Sequence, residues 1–254
     1  SLDPERTQRH LDAIEKIFRR ADALVGKLQE KLPKNTTLMV MSDHGFHTFR
    51  RGVNLNTWLV QQGYMVFDGQ ESPKKGLDDL FGRGQFWEGV DWSRTRAYAV
   101  GLGQIYFNLK GREGRGIVSP GAEYDALQEE IASKLVKEKD PDDQAEIFRA
   151  IYKRDDIYKG PYLRNAPDLQ VGFNDGYRVG WQDTMGGVQR TFVENNNRKW
   201  SGDHCATATE ISGGVFFSSR KVANEAPHIM DLAPTILDLL GVPVPKDYDG
   251  KPLR

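Results

Sequence analysis

Two short glycine-containing segments place histidine beside aspartate, a combination suited to binding a metal ion. The first is Ser42–Gly45, with the sequence SDHG, and the second is Ser201–Thr207, with the sequence SGDHCAT. Carboxylate and neutral imidazole ligands together suit zinc, and also manganese or iron. Adjacent residues such as Asp43 and His44 point to opposite faces of a continuing strand, so they can reach one ion only if the chain turns there. Gly45 favours such a turn and lets the backbone approach the site closely.

The other candidate ligands leave alternatives open, because an Asp-His pair is also common in ordinary turns and caps. His10 and His228 are typical of a helix surface or a helix start, whereas His47 lies three residues after the first pair and stays a candidate. Cys205 follows His204 directly. Its thiol could be a ligand or, as buried cysteines usually are, an inert apolar group.

The elements that precede the SDHG segment predict how it is positioned. The run TLMVMS is short and wholly apolar, which is typical of a strand buried on both faces. Before it, apolar residues recur at steps of three and four, which predicts an amphipathic helix. They are Leu11, Ile14, Ile17, Phe18, Ala21, Leu24, Val25, Leu28 and Leu32. A helix followed by a buried strand favours a layered α/β fold.

Further patterns indicate where the remaining helices and strands lie. VNLNTWLVQQG predicts a short helix that ends at Gly63, and HIMDLAPTILDLLG predicts one closed by Gly241. TRAYAVG and QIYFNLK predict two strands joined around Gly101 and Gly103, and GGVFFSS predicts a further buried strand. AEYDALQEEIASKLVKE predicts a helix with one apolar face, formed by Tyr124, Leu127, Ile131 and Leu135.

Composition limits the classes of function. The 254 residues include 35 basic and 36 acidic side chains, for a net charge of −1, so a nucleic acid duplex is not an expected partner. No apolar run approaches the roughly 18 residues of a membrane span, so no membrane association is expected. The single cysteine excludes an intrachain disulfide and a cysteine-rich zinc site. It fits a reducing compartment, and we expect a cytoplasmic location.

Three sequence blocks resemble the alkaline phosphatase superfamily. TLMVMSDHGF followed by VNLNTWLVQQGYM resembles the type I phosphodiesterase/nucleotide pyrophosphatase group and the related predicted phosphohydrolases and phosphomutases. WSGDHCATATEISGGVFFSS resembles the second metal-ligand loop of that family, and IMDLAPTILDLLGVPVPKDYDGKPL its C-terminal helix and tail. The resemblance implies an α/β, alkaline phosphatase-like layered sandwich with a mostly parallel sheet covered by helices. Residues 1–254 would be its C-terminal portion, with the N-terminal part missing.

The resemblance also implies a two-metal site and its chemistry. Two divalent metal ions are expected, zinc or manganese. Asp43 and His44 would bind one ion and His204 the other, while Asp203 would orient a ligand imidazole. The implied function is metal-dependent hydrolysis of phosphate mono- or diesters on a phosphorylated small-molecule substrate.

Part of the family pattern has no counterpart here. An Asp-x-x-x-His pair precedes the first helix in the family, but residue 6, four before His10, is arginine. The family's nucleophile also belongs to a region that we expect in an N-terminal half preceding Ser1. No catalytic residue is therefore assigned, and Thr207 and Thr209 gain no support from the family. We expect the chain by itself to be inactive or very weak.

The region between the metal blocks, within about residues 46–200, is expected to contain a cap or insert that sets substrate choice. Arg50 and Arg51 follow the SDHG turn, and their guanidinium groups suit phosphate, although a solvated loop would contain the same residues. Two alternative functions stay open. One is a phosphomutase that uses the same two-metal site, and the other is a non-catalytic binding domain of the same fold.

Overall fold

The computed structural model describes residues 4–69, 87, 89–223 and 226–253. The chain forms two compact units. Unit 1 consists of Ser1–Asp43 and Gly214–Arg254, and unit 2 consists of His44–Gly213. The SDHG segment therefore spans the boundary, with Asp43 in unit 1 and His44 in unit 2. Among the described helices, none has the length and apolar character needed to cross a membrane.

Unit 1 contains the predicted N-terminal and C-terminal helices. Helix α1 is Pro4–His10 and α2 is Ala13–Lys31. Strand β1, Met39–Met41, pairs antiparallel with β10, Phe216–Ser218. A 3-10 turn, Ile229–Asp231, leads into α8, Leu232–Leu239, and Gly241 follows with a φ of 69°. That left-handed conformation is the one in which glycine closes a helix, as the sequence predicts.

The prediction that β1 and β10 are buried strands is wrong for the described residues. Met41 is 44% exposed and Phe217 is 64% exposed. The apolar stripe of α2 is likewise uncovered, with Ile14 at 74% and Phe18 at 70%. An apolar run shows only that a strand can be buried, whereas burial itself requires neighbours on both faces. In the described part of the chain β1 has one strand neighbour.

In unit 2, a four-stranded sheet is built around β2, His47–Val53. Strand β2 runs parallel to β7, Gly176–Val179, and antiparallel to β8, Val193–Asn195. Its first residues also pair antiparallel with β9, Gly202–Asp203. Helix α3, Leu55–Gln61, follows β2, and Gly63 comes next with a φ of 74°, as predicted. The sheet thereby places His47, two residues after the SDHG segment, opposite Asp203 of the SGDHCAT segment.

A second sheet of unit 2 has the strand order β3-β4-β6-β5. Its strands are β3 (Ala97–Val100), β4 (Gln104–Phe107), β5 (Phe148–Lys153) and β6 (Leu169–Phe173). Helix α4, Ala122–Leu135, buries its predicted face of Tyr124, Leu127, Ile131 and Leu135. The short helices are α5 (Arg154–Ile157), a 3-10 turn (Leu163–Asn165), α6 (Trp181–Thr184) and α7 (Thr209–Ser212).

The α/β class is confirmed, but the mostly parallel sheet is not found among the described strands. The β2–β7 pair is parallel, and every other pair of named strands is antiparallel. Strands β3 and β4 are joined by a tight turn with φ of 80° at Gly101 and 88° at Gly103. Such short connections produce antiparallel neighbours, because a parallel pair needs a long crossover.

Candidate metal centre

Gly45 holds the SDHG turn against a second backbone segment of unit 2. Its N–H donates to the carbonyl of Ser212 at 2.8 Å. A Cβ atom at this position would lie 2.5 Å from the carbonyl oxygen of Gly213. Strand β1 ends at Met41 and β2 begins at His47, so the chain does leave the extended conformation at Asp43 and His44. Glycine is required here for close backbone approach, as the sequence predicts.

Gly45→Ala is expected to destabilise unit 2 by about 1–3 kcal/mol, because an added methyl must displace backbone rather than a flexible side chain. Urea unfolding followed by tryptophan fluorescence measures the effect. Gly114→Ala is the matched control, since nothing lies within 4 Å of the position of its Cβ. Equal stabilities for the two variants would contradict the close-contact explanation.

The structure brings His44 and His204 together. Their rings stack with centroids 5.0 Å apart and an angle of 23° between the planes. The Phe46 ring lies 5.5 Å from that of His204, which is exposed. Nδ1 of His44 is 3.0 Å from the carbonyl oxygen of Gly45. A carbonyl can only accept, so Nδ1 carries the proton and Nε2 carries the lone pair that a metal ion needs.

Asp203 is buried, at 1% exposure, and both of its carboxylate oxygens are engaged. Oδ1 accepts from Nη1 of Arg178 at 2.9 Å. Oδ2 accepts from the N–H of Cys205 at 3.0 Å and lies 3.2 Å from Nε2 of His47. The expected role of Asp203 was to orient a ligand imidazole, and the imidazole with which it pairs is that of His47.

Asp203, His204 and Cys205 place one ligand atom each within 4.8 Å of one another, a spacing that could hold a metal ion. The carboxylate of Asp203 is already committed to Arg178. Burial, and then the negative charge of Asp203, raise the pKa of the Cys205 thiol. A protonated thiol is a poor ligand. Within this cluster, His204 is therefore the residue best able to bind a cation.

His47 is nearly buried and lies on β2 opposite Asp203 on β9. Its Nδ1 has no hydrogen-bond partner among the described residues and lies 3.7 Å from Oδ1 of Asp175. The position of His47 just after the SDHG segment suggested that it lies near the site. Its pairing with Asp203 places it beside the loop that contains His204. The metal-ligand assignment of Asp43, His44 and His204 stays a prediction.

The two candidate phosphate-binding arginines differ in their surroundings. The guanidinium of Arg51 donates to Asp140 at 2.8 and 2.6 Å and to Asn195 at 2.6 Å, and also pairs with Asp142. These carboxylates occupy the donors that a phosphate would use. Arg50 is exposed, and among the described residues its side chain has no hydrogen-bond or ion-pair partner. Arg50 is thus the better placed of the two to meet an anion.

The part of the chain that matches a known protein family includes this site. Residues 3–204 match the model of the family described as type I phosphodiesterase / nucleotide pyrophosphatase. The matched region covers more than half of the chain and contains the SDHG segment, His47 and the Asp203–His204 pair. A search among curated proteins gave no match.

Proposed function

Because the chain belongs to the type I phosphodiesterase/nucleotide pyrophosphatase family, we propose that it serves metal-dependent hydrolysis of phosphate mono- or diesters. Membership implies phosphoester hydrolysis and an alkaline phosphatase-like fold. The proposed substrate is a phosphorylated small molecule, and the proposed cofactors are two divalent ions, zinc or manganese. Asp43 and His44 would hold one ion, and His204 would hold the other.

The packing of His44 on His204 is the observation that carries the proposal. The two ring centroids are 5.0 Å apart although the residues are far apart in sequence. The Gly45 carbonyl, 3.0 Å from Nδ1 of His44, favours the tautomer with the proton on Nδ1, in which Nε2 is the nitrogen that would bind a metal ion. Nitrogen ligands of this kind, with a carboxylate next to one of them in the chain, suit zinc and manganese.

When bound, the ions would screen the charge of the phosphate and lower the pKa of an attacking hydroxyl group. The chain's own contribution is to orient ligands and substrate. His44 keeps its ring in place through the Gly45 carbonyl. Arg50 is exposed on β2, and its planar guanidinium can donate two parallel hydrogen bonds to phosphate oxygens.

The nucleophile is proposed to come from outside the sequence. Thr207 Oγ1 donates to the carbonyl of Val171 at 2.7 Å, and Thr209 Oγ1 lies 3.4 Å from the carboxylate of Glu210. Neither makes the hydroxyl–imidazole pair of an activated nucleophile. We propose that an N-terminal half preceding Ser1 supplies the nucleophile and the remaining metal ligands. The chain alone is then expected to be inactive or very weak.

His204→Ala in the protein that includes the N-terminal half tests the proposal. We expect the loss of about one bound ion per chain and a fall in phosphodiesterase activity larger than the roughly 10–100-fold typical of residues that only support a ligand. Metal content is measured by mass spectrometry, and activity with bis(p-nitrophenyl) phosphate.

His10→Ala is the matched control, because His10 is an exposed histidine on α1. It is expected to retain parental metal content and activity. Unchanged metal content and activity in His204→Ala would overturn the proposed function. Incubation with a phosphosugar separates the hydrolase from the phosphomutase, since the first releases free phosphate and the second yields an isomer.

A further inference from the structure

Arg178 is a buried cation in contact with two neighbouring aromatic rings. Its side chain is 6% exposed and lies on β7. The guanidinium carbon is 4.8 Å from the centroid of the Phe49 ring and 4.3 Å from that of Trp181. Cation–π contacts of this kind are strongest when they are desolvated. The two ring contacts therefore restrict the position of the guanidinium.

The guanidinium donates to one carboxylate. Nη1 of Arg178 donates to Oδ1 of Asp203 at 2.9 Å, and Nε donates to the carbonyl of Val179 at 3.1 Å. A carboxylate with 1% exposure is stable as an anion only when it is paired and hydrogen-bonded. Arg178 supplies that pairing, and lysine could not reproduce a planar guanidinium that contacts both rings while it donates to Asp203 and to Val179.

Asp203 in turn holds the backbone on both sides of His204. It is the residue before His204, and its Oδ2 accepts from the N–H of Cys205, the residue after it, at 3.0 Å. The same oxygen pairs with His47 on β2, and β9 is in register with β2 there, His47 opposite Asp203. The conformation of residues 203–205 therefore depends on the carboxylate of Asp203.

We propose that Arg178 is a positioning residue for the metal centre. Through Asp203 it holds the loop that presents His204, and its own guanidinium contacts neither metal nor substrate. This inference depends on the proposed function, because it assumes that His204 is a ligand. It predicts that loss of Arg178 weakens metal binding although no ligand atom is removed, as happens when a group that orients a ligand is lost.

Arg178→Met in the protein that includes the N-terminal half tests the inference. We expect zinc or manganese affinity, measured by competition with a chelator on the folded fraction, to fall about 10–100-fold. Excess metal should restore much of the lost activity, since the ligands remain. The folded fraction is determined by tryptophan fluorescence. If Arg178→Met does not fold, Arg178→Lys replaces it, with an expected loss of about tenfold.

Arg154→Met is the matched control. Arg154 is also a largely buried arginine of unit 2, with a side chain 16% exposed, and lies 5.1 Å from the centroid of the Tyr124 ring. It is expected to lose stability and to keep parental metal affinity. Parental affinity in a folded Arg178 variant would overturn the inference. If His204→Ala loses metal in that case, the proposed function stands and only the role of Arg178 is lost.

Discussion

Asp168→Ala is expected to lower the free energy of unfolding of unit 2 by about 3–5 kcal/mol. Asp168 is fully buried and accepts hydrogen bonds from Arg112 Nη1 at 3.0 Å and Nη2 at 2.5 Å. It also accepts from the Tyr124 hydroxyl at 2.9 Å and from the N–H of Phe107 at 2.6 Å. Truncation removes the bidentate carboxylate from the Arg112 guanidinium, on a side chain 11% exposed, and leaves Glu113, bonded to Nε at 2.8 Å, as its remaining carboxylate partner among the described residues. Urea unfolding followed by tryptophan fluorescence reports on unit 2, since all five tryptophans lie within it.

A double variant separates the weakened charge pairing of Arg112 from the other contacts that Asp168 loses. Adding Arg112→Met to Asp168→Ala is expected to recover part of the loss, because it removes the guanidinium that Asp168 neutralised. The recovery is limited because Glu113, with a side chain 16% exposed, then loses its own ion pair with Arg112. The control is Glu129→Ala, which breaks an exposed pair with Lys153 whose side chains are 66% and 38% exposed. Its expected cost is much smaller than that of Asp168→Ala, because water screens an exposed pair. A comparably small loss for Asp168→Ala would contradict the prediction.

Local sequence patterns correctly predicted those helices and turns of unit 2 whose apolar spacing or glycines are enough to define them. Four apolar residues at helical spacing placed Tyr124, Leu127, Ile131 and Leu135 on one face of α4, and all four are buried. Glycines predicted the end of α3 and the β3–β4 turn, because those positions require positive φ. These features depend on residues close in sequence, which is why periodicity and turn chemistry were sufficient.

Burial and strand direction were harder to predict, since they depend on neighbours remote in sequence. TLMVMS has the composition of a doubly covered strand, but β1 pairs with β10 alone among the described strands. The parallel sheet followed from that assumed burial and from the family resemblance. In unit 2 the order of strands depends instead on the connections between them. A short turn makes β3 and β4 neighbours, whereas β9 pairs with β2 although the two strands are far apart in sequence.

The candidate site likewise contains some residues that the sequence alone indicates and others that only the fold reveals. The SDHG and SGDHCAT segments are visible in the sequence because several suitable residues occur together, and the structure stacks His44 on His204. Arg178 was missed because it is a single arginine in a short strand, and only the fold shows that it meets Asp203. Arg51 shows the opposite situation, in which position in the sequence suggested a role that the contacts of the side chain do not favour. Its proximity to the turn suggested phosphate, but its guanidinium lies on Asp140.

The carboxyl group of Asp183 is expected to make unit 2 less stable as pH rises from about 5 to 8. The residue is fully buried, and its Oδ1 accepts from the N–H of Asn56 at 2.7 Å at the start of α3. Its Oδ2 has no partner among the described residues. Burial raises the pKa of Asp183 to about 8, against the lowering effect of hydrogen bonds from the N–H groups of Asn56 and Leu55.

The direction of this change in stability follows from the number of protons that the folded and unfolded states bind. In the unfolded chain Asp183 has an ordinary pKa near 4, so it is ionised above about pH 5. In the folded chain it keeps its proton up to about pH 8. The unfolded state binds fewer protons over that range, and the free energy of unfolding therefore falls as pH rises. At roughly 1.4 kcal/mol per pH unit, the loss is on the order of 4 kcal/mol.

Asp183→Asn isolates this contribution. The amide cannot ionise, and its oxygen can still accept from the N–H of Asn56, so the variant should lack the decline. Its free energy of unfolding relative to the parent should rise between about pH 5 and 8, and other titrating groups cancel in that difference. Asp125→Asn, at an exposed position on α4, should keep the parental slope. Parallel curves for parent and Asp183→Asn would contradict the prediction, because they would mean that the buried carboxyl ionises in the folded protein without cost.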